Sequence, residues 1–572
     1  MPMVVDQLAR DDPHRPWASV PYDDNDLSRG YEDITYAVLA NAVNRLAWLM
    51  DHAMSKSTKS NKSGKTEVVA YYGAADLRYQ MMQLAACKTG RAVFFSSHLN
   101  SLPVHVQLMN ELDCKAMFCS AGMVDVDDIL RARPMPKVEI PELSSLLSLD
   151  DCPEVYPYDK PYEEEAHTTY MYTHTSSTTG DPKPMPMNHC LLFCFVLQKA
   201  LPDVEGRSHV VDFSVAGRGA RIILPVPPYN SLSAVMGLML SILGEGVYVI
   251  PYRNRGISAT DPLPEILLYS KAAYGFLVPH VMETIARLPN PERYIKNFKS
   301  VCYGGGEISK LAAKTWSRYT VIRNTWGATE VGFPPRLEPD PEDYEYVYFD
   351  MEYGAIEFQE VELDDYMDTA TSSSSQAPVP LYELVLKWKP KAEIYSVHYC
   401  REIRTTLPPG PPYPDCHIGD LWTPHPDPKK AHYAWRYMGR MDDVVTLRTG
   451  TKVSTGSIEK AIMENRFVKS ALVVGNNHMQ PLALIELADS VDVEAEVATE
   501  ELWESVLQPM NARLPSQARI MRTHILIVPA MEFVRTIKGT VSKTRSERKF
   551  QREIDETYEM HGDVYQKGMM DR

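Results

Sequence analysis

The sequence predicts an α/β protein with a large N-terminal domain of parallel-sheet subdomains plus a β-rich subdomain, and a small α+β C-terminal domain. Two observations favour this fold class. Short apolar runs alternate with helical stretches along most of the chain, which is the pattern of parallel α/β units. The length of 572 residues also exceeds what one hydrophobic core supports, so several domains or subdomains are expected.

The first parallel unit follows directly from the order of these patterns. VVAYYG (68–73) predicts a buried strand, ADLRYQMMQLAACKTG (75–90) a helix closed by Gly90, and AVFFSS (92–97) the next strand. Before it, ITYAVLANAVNRLAWLM (34–50) predicts a helix, because apolar side chains recur near one face. These side chains are Val38, Leu39, Val43, Leu46 and Leu49.

Later segments continue the pattern and then change it. Further strands are predicted at RIILPVPP (221–228), GVYVIPY (246–252), AYGFLVP (273–279) and SVCYGGG (300–306). A low-complexity break, DTATSSSSQAPVP (368–380), precedes the more β-like LYELVLKWKP (381–390) and is interpreted as a surface insertion. Beyond YMGRMDDVV (437–445), strands and helices resume on a smaller scale, which predicts a separate C-terminal domain.

Composition restricts the classes of partner. Hydrophobic residues make up 44% and charged residues 23%, as in ordinary globular proteins, and a net charge of −16 argues against a nucleic-acid partner. No apolar run is long enough for a membrane span, and the N-terminal residues lack the order of a signal peptide. Nine scattered cysteines are typical of free thiols. We therefore expect a cytoplasmic protein without a membrane or nucleic-acid partner.

A hydroxyl-rich segment, THTSSTTGDPKPMPMNH (173–189), is the first candidate functional site. It has no apolar face, so it predicts a loop rather than a helix or strand. Backbone N–H groups and hydroxyls around Gly180, with Lys183 nearby, suit the oxygens of a phosphate. Taken alone, the same segment would be interpreted as a solvated Ser/Thr linker.

Five motifs in a fixed order resolve that choice. They are TSSTTGDPKP (175–184), YGGGEIS (303–309), NTWGATE (324–330), IGDLW (418–422) and GRMDDVVTLRTG (439–450). With them the chain resembles the adenylate-forming superfamily of acyl-CoA synthetases, nonribosomal-peptide adenylation domains and luciferases, from about residue 20 to 550. The resemblance implies two half-reactions. A carboxylate and ATP, with Mg²⁺, give an acyl-adenylate and pyrophosphate, and a nucleophile then takes the acyl group.

The resemblance also implies roles for individual residues. Glu330 matches the magnesium ligand and Thr329 the hydroxyl beside the α-phosphate, while Asp420 matches the carboxylate that accepts from the ribose hydroxyls. Arg440 matches an arginine at the ribose and phosphate side. The set implied to bind nucleotide comprises Thr175, Ser176, Ser177, Thr178, Thr179, Gly180, Lys183, Gly304, Gly305, Gly306, Glu307, Asn324, Trp326, Gly327, Asp420 and Arg440.

Some positions depart from the family pattern. Ser177 stands where glycine is usual, Pro184 replaces a closing glycine, and Trp326 stands where tyrosine is usual, which keeps an aromatic face for adenine. Ser177 and Trp326, together with Thr540 at the strict register of the adenylation lysine, motivate an alternative in which the chain is a degenerate nucleotide-binding module without turnover.

The resemblance further implies a mobile C-terminal domain. It predicts an N-terminal core at 1–438, a hinge at 439–443 centred on Asp442, and a small lid domain at 444–572. VRTIKGTVSKTR (534–545) resembles the segment that carries the adenylation lysine, which we assign to Lys538, with Lys543 as the alternative.

ADLRYQMMQLAACKTGRAVFFSSHLNS (75–101), the Pro184 ending and the Lys-Gly-Thr motif at 538–540 most resemble fungal NRPS-like enzymes. In that group an adenylation domain precedes a carrier domain and a reductase. The matching acid pocket is PPYNSLSAVMG (227–237), with Tyr229, Asn230 and Ser233 as pocket residues. A neutral Asn230 cannot pair with an ammonium group, so an aryl or other non-amino acid is expected; Asn230 as a plain turn residue is the alternative. No carrier or reductase motif is found, so we expect an excised adenylation unit or a stand-alone ligase. The acceptor is a thiol, on a carrier protein or CoA, or an amine.

Overall fold

The computed structural model describes most of the chain and leaves defined gaps. The described residues are 1–55, 66–98, 100–174, 183–210, 217–255, 262–305, 308–328, 331–361, 380–392, 395, 413–441, 444–448, 452–488, 491, 495–512, 514, 518–535 and 541–562. The low-complexity segment predicted as an insertion, apart from Pro380, lies outside them.

The strands are numbered in chain order. They are β1 (Pro16–Pro21), β2 (Tyr31–Thr35), β3 (Val68–Tyr72), β4 (Ala92–Phe95), β5 (Met117–Cys119), β6 (Lys137–Glu139), β7 (Thr169–His174), β8 (Pro184–Asn188), β9 (Arg221–Ile223), β10 (Val247–Val249), β11 (Tyr274–Leu277), β12 (Ser300–Tyr303), β13 (Val321–Asn324), β14 (Tyr346–Tyr348), β15 (Ile356–Glu360), β16 (Tyr382–Leu386), β17 (Cys416–Pro424), β18 (Ala434–Arg440), β19 (Val444–Thr446), β20 (Lys452–Ser454), β21 (Val468–Val474), β22 (Leu482–Leu487) and β23 (Ile525–Val528).

The α-helices are numbered in the same way. They are α1 (Pro2–Asp11), α2 (Tyr36–Ser55), α3 (Arg78–Lys88), α4 (Leu102–Glu111), α5 (Val124–Ala132), α6 (Leu143–Leu146), α7 (Tyr162–Glu165), α8 (His189–Leu197), α9 (Ser231–Leu238), α10 (Leu263–Tyr269), α11 (Pro279–Ala286), α12 (Glu292–Ile295), α13 (Lys310–Trp316), α14 (Thr455–Met463), α15 (Ala495–Leu502), α16 (Gln508–Asn511), α17 (Lys543–Lys549) and α18 (Gln551–His561).

Two largely parallel sheets form the N-terminal part, as predicted. One has the order β13-β12-β11-β9-β10-β1-β2, and the other β6-β5-β3-β4-β7-β8. Only the β1–β2 and β7–β8 pairs in these sheets, as far as the structure describes them, are antiparallel. The strands predicted from the apolar runs are all present, since each run is short, apolar and followed by a helix-forming segment.

Helix α3 shows how the two parallel sheets share one core. All eleven of its residues are buried, because it packs against α2, α9, β4 and β7. Burying the Lys88 ammonium in this helix is costly, and three hydrogen bonds offset the cost. They go to both carboxylate oxygens of Asp6 and to Asn44, at 2.7–2.8 Å. The predicted face of α2 is confirmed for Leu39, Val43 and Leu46, which are buried.

The remaining sheets differ in direction. The β-rich subdomain is an antiparallel sheet of order β14-β18-β17-β16-β15. Its core includes three tryptophans, Trp326, Trp422 and Trp435. The C-terminal part contains the sheet β21-β22-β23, in which β21 and β22 are antiparallel and β22 and β23 parallel, together with the hairpin β19–β20. This mixed α+β arrangement is the one predicted.

Candidate active site

The structure describes about half of the predicted site residues. Those it describes are Lys183, Tyr229, Asn230, Ser233, Gly304, Gly305, Asn324, Trp326, Gly327, Asp420 and Arg440. Those outside the described residues are Thr175, Ser176, Ser177, Thr178, Thr179, Gly180, Gly306, Glu307, Thr329, Glu330, Asp442 and Lys538.

The carboxyl ends of β12 and β13 approach each other closely. Thr325 N–H donates to the Tyr303 carbonyl at 2.7 Å, and a Cβ atom on Gly304 would lie 2.2 Å from the Thr325 carbonyl oxygen. Glycine is therefore the residue that fits at position 304, and Gly305 follows at a φ of +85°. Ligands of parallel sheets bind at this edge, where the backbone is accessible.

Arg336 supports the same edge and was not indicated by any sequence motif. Its guanidinium donates to the Asn324 carbonyl at 3.0 Å and to the Thr325 hydroxyl at 3.3 Å. The side chain is buried, with 5% exposed. A single arginine outside any motif gives no spacing signal, so only the structure shows that it holds the end of β13.

The carboxylate of Asp420 is contacted by residues from two other motifs. Trp326 donates its indole N–H to Asp420 Oδ2 at 2.6 Å, and Arg440 Nη1 lies 3.3 Å from Asp420 Oδ1. Asp420 and Arg440 are directly opposite in the β17–β18 pair. The Asp420 side chain is buried, and the Arg440 side chain is 41% exposed. A carboxylate that accepts one N–H and has a guanidinium beside its other oxygen keeps lone pairs for further hydrogen bonds.

The ring of Trp326 is packed into the β-rich subdomain. It makes edge contacts with Phe349 at 5.8 Å and with Trp422 at 5.6 Å between centroids. The following Gly327 is crowded, since a Cβ there would lie 2.5 Å from the Gly332 carbonyl oxygen. Ala328 and Gly332 pair across the positions of Thr329 and Glu330. The structure therefore fixes both sides of the predicted metal-binding position.

The hydroxyl-rich segment connects β7 to β8. His174 at the end of β7 pairs with Pro184 at the start of β8, and Lys183 is exposed. His174 Nε2 accepts from the Ser97 N–H at 3.0 Å and from the Asn100 side-chain amide at 3.2 Å. Because a backbone N–H can only donate, Nε2 carries no proton in this arrangement. His174 thus joins the entry of this segment to the loop that follows β4.

The predicted acid-pocket residues lie between the two parallel sheets. Tyr229 stacks on His98, with centroids 4.5 Å apart at 30°, and Tyr79 hydroxyl lies 3.1 Å from His98 Nε2. Burial raises the pKa of Tyr229 to about 12, so its phenol stays neutral. Tyr79 and His98 lie within the run 75–101 that resembles fungal NRPS-like enzymes, but neither was predicted as a pocket residue, because their contact with Tyr229 depends on the fold.

Asn230 and Ser233 have defined local partners. Asn230 Oδ1 accepts from the Leu232 N–H at 3.0 Å and caps α9. Ser233 is fully buried, and its hydroxyl lies 2.9 Å from that of Tyr248. Asn230 therefore has the local role of a turn residue, and its cap fixes where α9 begins beside Tyr229.

The two candidate lysines of the C-terminal domain differ in what the structure shows. Lys543 begins α17, and its ammonium lies 2.9 Å from Glu459 Oε2 and 3.3 Å from the Thr455 hydroxyl. The Glu459 side chain is 7% exposed. Lys543 is thus engaged within the small domain, whereas Lys538 lies outside the described residues.

The described part of the chain has neither a membrane-spanning helix nor a clustered metal site. None of its helices combines the length and apolar character that crossing a bilayer requires. No group of three or more His, Cys, Asp or Glu side chains within it is arranged to hold a metal.

Family models match both parts of the chain. The model described as AMP-binding enzyme covers residues 13–348, and that of the AMP-binding enzyme C-terminal domain covers residues 442–562. The chain belongs to the AMP-binding enzyme family, and the adenylate-forming resemblance drawn from its motifs is confirmed.

Curated relatives come from fungi. A carboxylic acid reductase of Neurospora crassa is 26% identical over 97% of this chain and 50% of its own length. The adenylate-forming reductase Nps9 of Serpula lacrymans is 26% identical over 96% of this chain and 48% of its own length. The chain thus spans about half the length of these relatives.

Solved structures share the fold. The anthranilate CoA ligase AuaEII in complex with anthranoyl-AMP has a TM-score of 0.65 at 14% identity, covering 96% of each chain. The o-succinylbenzoate coenzyme A synthetase MenE of Bacillus subtilis, in complex with ATP and magnesium, has a TM-score of 0.63 at 13% identity, covering 95% of this chain and 99% of its own.

Proposed function

We propose that this chain activates a carboxylic acid with ATP. An oxygen of the acid attacks the α-phosphorus, the bond from that phosphorus to the β-phosphate oxygen breaks, and pyrophosphate leaves. The products are an acyl-adenylate and pyrophosphate. A thiol or amine then attacks the acyl carbon, and AMP leaves with the oxygen that the acid contributed. The observation that carries the proposal is the convergence of Trp326, Asp420 and Arg440.

The described residues support a binding mode for the nucleotide. Asp420 would accept from the two ribose hydroxyls, with Trp326 and Arg440 holding the carboxylate in place. Gly304 lets the backbone at Thr325 approach the end of β12 closely, and the base would bind beside this edge. Mg²⁺, when bound, would offset charge on the leaving pyrophosphate. Glu330 has the hard oxygen that such an ion requires and is the ligand we propose.

The proposed substrate is an aryl or other non-amino acid. The amide of Asn230 carries no charge to pair with an ammonium group, and rings of Tyr229, His98 and Tyr79 lie together beside it. An aromatic acid fits such a wall through stacking and apolar contact. The anthranoyl-AMP in a structural neighbour is an adenylate of this kind, bound by that protein.

For the adenylation lysine we propose Lys538. The alternative, Lys543, already pairs with the buried Glu459, and moving its ammonium to a substrate would leave that carboxylate without this cation. We further propose that residues 439–443 act as the hinge between an N-terminal core and the small domain. Residues 439 and 440 belong to β18, so rotation would begin just after this strand.

We propose the acceptor from the length of the fungal relatives and the cellular location from the free cysteines. The fungal relatives are reductases of about twice this length, which favours a thiol on a carrier protein as acceptor, with CoA or an amine as alternatives. Eight cysteines among the described residues are free thiols, which is consistent with a reducing cytoplasm.

A panel of acids tests the proposal. We expect pyrophosphate release that depends on ATP, Mg²⁺ and an aryl or alkyl acid, and that increases when CoA, an amine or a carrier protein removes the adenylate. Nucleotide binding with no release for any acid would instead support the degenerate module.

A further inference from the structure

A completely buried carboxylate stands in the middle of the small domain. Glu486 lies on β22 with 0% of its side chain exposed. Its Oε1 accepts the Met531 N–H, and its Oε2 accepts from the Arg535 guanidinium. Since β22 is otherwise apolar, with Leu482, Ala483, Leu484 and Ile485 all buried, an ionised side chain at this position has a large desolvation cost.

Arg535 is held at two points. Besides Glu486, its Nη2 donates to the Ser470 hydroxyl at 3.0 Å, and Ser470 lies on the neighbouring strand β21. The guanidinium therefore bridges two adjacent strands of the small-domain sheet. A buried ion pair of this kind contributes little net stability compared with an apolar pair of the same size. Its main physical effect is to fix where residue 535 sits.

The backbone before residue 536 is paired with the backbone after residue 540. Arg535 and Val541 form an antiparallel bridge, and the Ser542 N–H donates to the Val534 carbonyl at 2.7 Å. The buried Ser546 hydroxyl accepts the Val534 N–H at 3.0 Å. Residues 536–540 thus connect two backbone positions that are paired with each other.

The charge of Arg535 acts on the larger domain. Burial, followed by the charges of Arg535 and Lys469, lowers the pKa of His280 on helix α11. Between the two domains, the Arg287 guanidinium is 3.5 Å from the Met463 carbonyl oxygen.

We infer that Glu486 and Arg535 form a positioning pair: they anchor residue 535, three positions before Lys538, and this anchor supports adenylate formation. The inference rests on the proposed function, because it gives Lys538 its role. Neither residue touches the reacting atoms. They act by fixing residue 535, and a displacement of about 1 Å at a reacting group costs on the order of 100-fold in rate.

The test compares two substitutions of Arg535 with a matched control. Arg535→Met keeps the length of the side chain and removes its charge, whereas Arg535→Lys keeps a cation for Glu486. Lys549→Met is the control, because Lys549 pairs with the exposed Glu532 on the surface of the same domain. Each protein is assayed for acid-dependent ATP–pyrophosphate exchange and for acyl transfer from supplied acyl-adenylate, and its thermal unfolding is recorded.

We expect Arg535→Met to lower kcat for exchange by about tenfold to 100-fold, with the KM for ATP nearly unchanged. Acyl transfer should stay within about twofold of wild type, and Arg535→Lys should restore part of the exchange rate. The double variant Glu486→Leu with Arg535→Met should fold, because an apolar pair keeps the small domain stable. It should still be defective in exchange, because the apolar pair does not hold residue 535 in place.

The outcomes separate this inference from the proposed function. If wild type exchanges pyrophosphate and Arg535→Met does so equally well, the positioning role is wrong and the proposed function stands. Equal loss of exchange and transfer, with lowered thermal stability and no rescue by lysine, would also overturn it, because that is the signature of a merely structural pair. Absence of exchange in wild type overturns the proposed function itself.

Discussion

The indole N–H of Trp326 donates to the carboxylate of Asp420 at 2.6 Å, across 94 residues of sequence. This contact joins the turn after β13 to the middle of the β-rich sheet, so the proposed nucleotide-binding edge of the parallel sheet and the predicted ribose-binding carboxylate form one unit. An aromatic residue without a suitably placed donor would pack at this position but would leave the carboxylate less constrained.

Replacing that donor gives the first prediction. Trp326→Phe keeps an aromatic ring but removes the N–H, and leaving a buried acceptor without its donor costs about 1–3 kcal/mol. If Asp420 binds ribose, the KM for ATP should rise about fivefold or more, while the KM for the acid changes little. Trp435→Phe is the control, because Trp435 lies in the same cluster but stacks on Phe358. Equal effects of the two variants would mean that packing, not the hydrogen bond, matters.

The acid pocket gives a second prediction. Asn230→Asp retains an oxygen that can cap α9, so the helix should still begin at the same place. The added negative charge should let α-amino acids support pyrophosphate exchange and should weaken exchange with benzoates. Asn188→Asp makes the same change at the cap of α8 and reports its effect outside the pocket. Unchanged acid preference in Asn230→Asp would place the acid elsewhere.

The two candidate lysines give a third prediction. Lys538→Ala should slow adenylate formation by about 10²–10³, the loss typical of a preorganised electrostatic contact, while transfer from supplied acyl-adenylate stays nearly intact. Lys543→Ala should instead lower the unfolding temperature, since Glu459 loses its ammonium partner while remaining buried. Normal adenylation in Lys538→Ala together with loss of adenylation in Lys543→Ala would move the assignment by five residues.

A charged network outside the site gives a prediction about pH. Hydrogen bonds from Arg207 and then Lys430 hold the pKa of Asp340 well below its ordinary value of 3.8. The pairing therefore contributes stability above that value and loses it as pH falls through the lower pKa of the folded state. Asp340→Asn should be less stable than wild type near neutral pH, and the difference should narrow in acid.

Chemical unfolding at a series of pH values measures this difference. Asp203→Asn, a change at an exposed carboxyl, serves as the control and should shift stability little at any pH. A gap between wild type and Asp340→Asn that stays constant down to strong acid would contradict the assignment.

Much of this fold was predictable because the strands are short apolar runs separated by helices of characteristic length. The motifs likewise indicated Asp420, Arg440 and Trp326, since each stands in a recognisable sequence context. The sequence did not indicate that Trp326 donates to Asp420, because β13 and β17 belong to different sheets and only the packing of those sheets brings the two residues together.

Other supporting residues were unpredictable for a similar reason. Arg336, His98 and Glu486 are single polar side chains whose significance arises only from burial and from partners that are distant in sequence. Asn230 illustrates the opposite case. Its residue type was used to predict which acids the pocket accepts. In the structure, its side chain caps α9 in the segment that follows two prolines.

The proposed function depends on one step above all, in which the acid itself attacks the α-phosphorus of ATP. A carboxylic acid labelled with heavy oxygen in its carboxylate, incubated with the protein, ATP, Mg²⁺ and a thiol acceptor, tests this step by mass spectrometry of the nucleotide. We expect one labelled oxygen in AMP and none in pyrophosphate. Label in inorganic phosphate with formation of ADP, or AMP without label, would contradict the proposed attack.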